Sequence, residues 1–346
     1  MLWEQAIGLL TNELALDFGS SRTQIWLRGR GLTIDEPTLA TIRQSKNQYL
    51  LEDIGLDAQS MQGKSPVGSS VIAPCSNGCI VQPEVAVELL TRWINRSLGG
   101  KPLFKPRILM VLPHHCTSEN KTSYLKILRT IGSKDSIAID ELFCAAVGCE
   151  LPLHKAKGSM VIIIGLKSTR VGILSLSSIL YSSTIPIGGE HFDGALNDWL
   201  KSEHHVELGI RGLEDLKINI GAIANPDPSR TVTISCRDSR AGVPRRIHLS
   251  SPELVHTLQR PMVKLQAGIK SVLQQVSPEL AGDLLQNGIF VCGGGSKLHG
   301  LATYLESALG MTVHILPSST TAIISGAAAL LEDPSYLQWL YEEQNS

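Results

Sequence analysis

Aromatic residues make up only 5% of this sequence, neither sign of charge is in excess, and no apolar run is long enough to cross a membrane. Lys and Arg number 31 against 32 Asp and Glu. That balance gives no electrostatic reason to expect nucleic acid or a strongly anionic surface as the main partner. Local pairs such as Arg245-Arg246 read as solvated surface. No basic n-region or cleavage site marks a signal peptide. Paired cysteine spacing is missing too. The seven cysteines (Cys75, Cys79, Cys116, Cys144, Cys149, Cys236, Cys292) are odd in number. Cys75 and Cys79 have no second pair or histidine nearby, and Cys144 and Cys149 fall in a stretch that reads as helix. Reduced thiols packed as small hydrophobes are expected, and with them a cytoplasmic location.

What is present fits a globular protein. With 43% hydrophobic and 18% charged residues over 346 positions, the chain can build two domains with separate cores. Residues 14–30 read as two strands joined by a tight glycine turn, and residues 32–74 as a turn-rich inserted subdomain. Apolar spacing at Val85, Leu89, Leu90 and Trp93 predicts a helix over 83–97. A buried strand (105–112), a helix (117–131), a short strand (136–139) and a helix from about Asp140 complete the first half. The second half opens in the same way, with strands over 159–165, 171–174 and 180–187, then Gly188-Gly189. A helix over 212–220 and a hairpin over 231–249 follow. A helical stretch over 251–275, broken or kinked at Pro261, precedes a last strand over 288–291.

One internal repeat organises the rest. Asp17-Phe-Gly-Ser-Ser-Arg-Thr23 and Ile163-Ile-Gly-Leu-Lys-Ser-Thr169 align without a gap at an offset of 146 residues, each between two strands. Duplicated strand–turn–strand units predict two similar α/β halves facing each other across a cleft. Boundaries of 1–150 and 151–346 follow, with insertions over about 32–74 and 190–250. Gly19, Ser20, Ser21 and Thr23 form a turn whose backbone N–H groups and hydroxyls can approach a polyphosphate. Asp17 could hold the water shell of Mg²⁺, although this segment read alone favours an ordinary hairpin turn with a capping aspartate. A third glycine cluster, Gly293, Gly294 and Gly295, follows a strand and opens a helix. Three glycines there permit a flat ligand such as a nucleoside to approach the backbone.

Taken together, these segments resemble the actin-like superfamily that also holds the sugar kinases, and within it the bacterial MreB proteins. The motif residues are Asp17-Phe-Gly-Ser-Ser-Arg-Thr23, Gly29-Arg-Gly31 leading to Glu36-Pro37-Thr38, Met61-Gln-Gly63, Ile187-Gly-Gly189 and Val291-Cys-Gly-Gly-Gly295. The likeness runs from about residue 13 to 332. It implies an actin-like α/β fold, two related domains around a cleft that binds ATP or ADP with Mg²⁺, and head-to-tail self-assembly into filaments. It further implies a cytoskeletal role in cell shape and cell-wall morphogenesis, at the inner membrane surface and beside the cell-wall elongation machinery. By resemblance, Gly19, Ser20, Ser21, Arg22 and Thr23 touch phosphates and Asp17 organises the metal. Glu141 matches the glutamate that orients the attacking water. Glu214 and Lys217 reach the ribose and adenine side, Gly189 belongs to the nucleotide site, and Gly293 to Gly295 line sugar and base.

The second phosphate turn departs from the family's D-I-G-G-G-T-T. Ile163 stands where the aspartate belongs, and Leu166 and Lys167 replace two glycines, leaving Gly165, Ser168 and Thr169. Leu142 replaces a proline after Glu141, and Gln82 and Asn219 stand where the family has carboxylates. Ile163 can hold neither metal water nor lytic water. The expectation is therefore nucleotide binding with slow or absent turnover and weakened or absent Mg²⁺, with Arg22 and Lys167 neutralising phosphate charge. Two surfaces bear on the membrane: residues 1–10, whose Leu2, Trp3, Ala6, Ile7 and Leu10 share a helical face, and the apolar pair Leu103-Phe104. A terminal helix docked on its own domain fits residues 1–10 equally well. The competing function is a non-polymerising, actin-fold adaptor that binds nucleotide and recruits partners. A small-molecule kinase fits less well, because it needs a base aspartate near the substrate cleft and no convincing one follows Gly189.

Overall fold

The computed structural model describes residues 12–45 and 48–333. Two compact units emerge, one comprising the chain up to Leu151 together with the segment from Thr321 on, the other Pro152–Thr320. Strand β1 (Glu13–Phe18) lies at the centre of the first unit's sheet. It pairs antiparallel with β2 (Arg22–Leu27), which pairs antiparallel with β3 (Gly31–Pro37). Three further strands, β4 (Ala40–Ser45), β5 (Gln48–Ile54) and β6 (Ser69–Ile72), form the inserted sheet in the order β5-β4-β6, and β7 (Cys75–Ser76) pairs with β8 (Cys79–Ile80). The main sheet is completed by β9 (Arg107–Leu112) and β10 (Lys134–Asp140), giving the order β10-β9-β1-β2-β3.

Central strands covered on both faces are apolar throughout rather than alternating. Leu14, Leu16 and Phe18 pack into one core with Trp93 and Leu90 of the helix Pro83–Leu98 and Tyr124 and Leu128 of the helix Ser118–Ile131. The helices Glu141–Gly148 and Ala322–Glu332 also pack against this sheet. Glu36, in the Glu-Pro-Thr run, is a structural anchor. Its carboxylate accepts from Trp93 Nε1 at 3.2 Å and pairs with Arg96. Gly55, at φ +62°, passes so close to this carboxylate that a Cβ would have no room.

In the second unit β11 (Ser159–Ile164), β12 (Thr169–Ser175) and β13 (Ser178–Ile185) repeat the same antiparallel run. A small sheet of β14 (Val206–Glu207), β15 (Thr231–Asp238) and β16 (Pro244–Ser250) is inserted before β17 (Ile289–Cys292) and β18 (Val313–Ile315). The resulting order, β13-β12-β11-β17-β18, repeats that of the first unit strand for strand and in direction. Met160, Ile162 and Ile164 share a core with Leu258, Met262, Leu265 and Ile269 of the helix Ser251–Leu273. That helix runs unbroken through Pro261, where a break or kink was expected. Pro261 is itself buried, beside the core residues Leu258 and Met262. Tertiary packing thus offsets the hydrogen bond that proline cannot donate.

The last helix belongs with the first unit, whereas the sequence reading placed everything after residue 150 in the second. Helices Glu141–Gly148 and Ala322–Glu332 cross with backbones almost touching: a Cβ on Gly148 would lie 1.8 Å from the Ala322 carbonyl oxygen, and one on Gly326 1.8 Å from that of Cys144. Two glycines at one crossing fix where the helix carrying Glu141 sits. Gly148→Ala should therefore lower unfolding free energy by about 1–3 kcal/mol, as overpacking does. Gly282→Ala, in the helix Pro278–Asn287 with open space beside it, should instead add up to ~1 kcal/mol. Urea denaturation followed by circular dichroism measures both, and equal effects would contradict this reading of the crossing.

Candidate functional site

The first unit contributes the β1–β2 turn. Gly19 N–H donates to Arg22 O at 3.1 Å, closing the turn, and a Cβ on Gly19 would sit 2.8 Å from that oxygen. Thr23 is fully buried and its hydroxyl lies 2.9 Å from that of Thr38. Thr38 N–H in turn donates to Ser21 O at 2.9 Å, so the end of β3 braces the turn. Ser20 Oγ accepts from Gly78 N–H at 3.3 Å, while the Ser21 side chain is exposed. Arg22 departs from expectation. Its guanidinium reaches along the sheet to Asp35 on β3, Nε to Oδ1 at 2.7 Å, and is committed there rather than offered at the turn.

Asp17, next to last in β1, is half-buried, opposite Gln24 on β2 and Val111 on β9. Beneath the turn lies a polar layer that the sequence did not reveal. Cys75 Sγ lies 3.6 Å from both Phe18 O and Tyr124 Oη, and Tyr124 Oη donates to Gly78 O at 3.3 Å. Burial pushes both the Cys75 thiol and the Tyr124 phenol up, and the Asp17 charge adds a smaller push to each. Both groups therefore stay neutral beside Asp17.

Glu141 is the first residue of its helix and only 8% exposed. Its Oε1 accepts from His114 N–H at 2.8 Å. Asp140 caps the same helix, its Oδ1 accepting from Leu142 N–H at 2.7 Å and its Oδ2 lying 2.7 Å from His114 Nδ1. The sequence signal for this pairing was the Pro113-His114-His115 run that follows β9.

The second unit repeats the turn. Gly165 N–H donates to Ser168 O at 3.1 Å, the same bond between residues 146 positions on. Thr169 is fully buried and donates to Ile187 O at 2.7 Å, and Ser168 is buried beside it. Ile163, the counterpart of Asp17, is 2% exposed and pairs with Cys292 on β17. The carbonyls of the turn are already engaged: Gly189 N–H donates to Gly165 O at 2.9 Å and Glu190 N–H to Leu166 O at 2.8 Å. Those donors open the helix Gly189–Trp199, so the turn satisfies groups a helix start would otherwise leave free. Gly188 must lack a Cβ, which would meet both carbonyl oxygens at 2.6 Å.

Lys167 lies 3.3 Å from the exposed Glu190 carboxylate, a contact worth little in water. Lys217, on the helix Ile210–Ile220, is more tightly held, with Nζ 2.7 Å from Asp193 Oδ1 and 3.4 Å from Gly189 O. Burial raises the Asp193 carboxyl, and the Lys217 ammonium opposes that shift. Glu214 sits half-buried one turn earlier on the same helix. The triple glycine divides by role. A Cβ on Gly293 would lie 2.6 Å from Ile164 O, and one on Gly295 2.2 Å from Ile164 Cγ2. Both are needed for packing on β11, whereas Gly294 faces open space.

Among solved structures the chain is similar to MreB5 of Spiroplasma citri bound to AMPPNP, with TM-score 0.90 and 26% identity over 96% of this chain and 99% of that one. The same protein bound to ADP gives 0.89. A MamK double helical filament, at 20% identity and TM-score 0.77, shares the fold. Two five-stranded sheets of one strand order, each with a glycine turn in its first hairpin, thus define an actin-like α/β protein. The MreB/Mbl protein family profile matches residues 11–338. Cell shape-determining protein MreB of Escherichia coli (strain K12) is 30% identical over 328 residues, 94% of each chain. Cell shape-determining protein Mbl of Bacillus subtilis (strain 168) is 28% identical over 94% of this chain and 97% of that one. The chain belongs to the MreB/Mbl family of bacterial actin-like, cell shape-determining proteins.

The glycine division is testable without ligand. Gly295→Ala should cost about 1–3 kcal/mol of stability, as core overpacking does. Gly294→Ala should stay within about 0.5 kcal/mol of the parent. Thermal denaturation of the two variants side by side measures the difference.

Proposed function

We propose that this protein is a filament-forming cytoskeletal element that binds ATP or ADP and turns it over slowly or not at all. The observation that carries this reading is the pair of matched turns, closed by the same 3.1 Å bond, of which only the first ends its strand in a carboxylate. Backbone N–H groups around Gly19 and Gly165, together with Ser21, Ser168 and Lys167, would hold the phosphates. Thr23 and Thr169 act by bracing their turns. Gly294 would admit the nucleoside, and Lys217, set by Asp193, would meet the sugar side with Glu214. The relatives solved with AMPPNP and ADP support nucleotide binding.

Asp17 fits a role on the water shell of Mg²⁺, and a nucleotide-bound Mg²⁺ would shield phosphate charge there. Ile163 supplies no second carboxylate, so the metal's hold is weak. Turnover suffers more than binding, because binding also draws on the first turn and on Gly294, both intact. Calorimetric titration with ATP should show binding both with and without Mg²⁺, the ion improving affinity by less than about tenfold, or 1.4 kcal/mol. Binding that vanishes without Mg²⁺ would contradict the reading.

Head-to-tail self-association is proposed from the family, and the MamK filament relative supports it. Sedimentation and electron microscopy with ATP distinguish this filament from a non-polymerising adaptor. The proposed site of action is the inner membrane surface, beside the cell-wall elongation machinery. Among the described residues no helix is long and apolar enough to cross a membrane. Leu103 is 97% and Phe104 53% exposed on a loop that also carries Lys101 and Lys105, a pattern suited to peripheral contact with anionic lipid. Residues 1–10 lie outside the described residues. Replacing Leu103 and Phe104 by serine should reduce sedimentation with anionic liposomes, whereas unchanged sedimentation would remove this loop from the account.

A further inference from the structure

The loop after β9 and the start of the helix Glu141–Gly148 share an arrangement that the turns do not explain. His114 touches this helix start at two points: its backbone N–H holds Glu141 Oε1 at 2.8 Å, and its ring Nδ1 lies 2.7 Å from Asp140 Oδ2. The Asp140 carboxylate is fixed in turn, because its other oxygen caps the helix through Leu142 N–H. A carboxylate can only accept here, so Nδ1 carries a proton, and in the neutral ring Nε2 then carries a lone pair. The His114 side chain is nine-tenths buried, its ring centroid 3.9 Å from that of His115. No described protein atom bonds to Nε2. A buried acceptor with no donor is costly and calls for one.

We propose that His114 is a positioning residue for the Glu141 carboxylate, and that its Nε2 accepts a hydrogen bond from a water held beside that carboxylate. Asp140 sets the tautomer and the tether, His114 N–H sets the carboxylate, and Nε2 supplies a second acceptor for the same water. Only a donor satisfies Nε2, and water is the donor small enough for a site this enclosed. The inference rests on reading Glu141 as the residue that orients water at the nucleotide, and its test can fail separately.

The full chain, labelled with ¹⁵N-histidine, is examined by long-range ¹H–¹⁵N NMR at neutral pH, alone and with ATP. Expected are an Nδ1–H tautomer at His114 with an unprotonated Nε2, loss of that preference in Asp140→Asn, and movement of the Nε2 resonance in Glu141→Gln even without ATP. His114→Gln, whose side-chain oxygen can replace Nε2 as acceptor, should keep the ATP-dependent changes in neighbouring signals that His114→Asn loses. Thermal midpoints confirm that each variant folds. A protonated Nε2, or an Nε2 resonance unmoved by Glu141→Gln, would overturn the proposal whether or not ATP binds. Failure of ATP to bind while the tautomer and the Glu141 response hold would instead overturn the nucleotide reading alone.

Discussion

One short hydrogen bond, from a glycine N–H across a β-turn to the carbonyl three residues on, governs both halves of this molecule. It closes the turn at Gly19 and again at Gly165, at 3.1 Å in each. A Cβ on either glycine would crowd the very oxygen that accepts the bond, so the turn and the glycine require each other. The threonine four residues on is buried in both cases and ties the turn into its own unit, Thr23 to Thr38 and Thr169 to Ile187. From that geometry follow the hairpin, the register of the two central strands, and a patch of backbone N–H groups suited to phosphate.

The same turn serves two ends. In the first unit it stands beside Asp17, with a neutral layer of Cys75 and Tyr124 beneath. In the second unit the strand end is the hydrocarbon Ile163, and the turn's carbonyls cap the next helix through Gly189 and Glu190. The second turn is thus intact as structure and depleted as chemistry. On the proposed reading this asymmetry would separate holding a nucleotide, which backbone geometry can do, from hydrolysing it, which needs charge placed on metal and water.

Features set within a few residues were readable from the sequence, and features set by distant partners were not. The repeat, the strand pairs and the family motifs were visible because a turn's chemistry is local. Arg22 read as a phosphate ligand because its partner Asp35 comes from another strand. The packing of Gly293 and Gly295 on Ile164 was hidden because that neighbour lies far away in sequence. Pro261 read as a break or kink, and the helix is unbroken there because the core that holds it is tertiary. The crossing of Gly148 with Gly326 joins the middle of the chain to a helix far along it, so the return of the last helix could not be inferred. The pairing of His114 with Asp140 was hidden for the same reason.

Matched turns with one missing carboxylate should bind nucleotide without efficient turnover. Single-turnover phosphate release from ATP with Mg²⁺, with the protein in excess and Escherichia coli MreB run in parallel, decides this. ATP should be bound, with phosphate released slowly or not at all and little further lost in Glu141→Ala. Release as fast as that of the E. coli protein, abolished by Glu141→Ala, would contradict it.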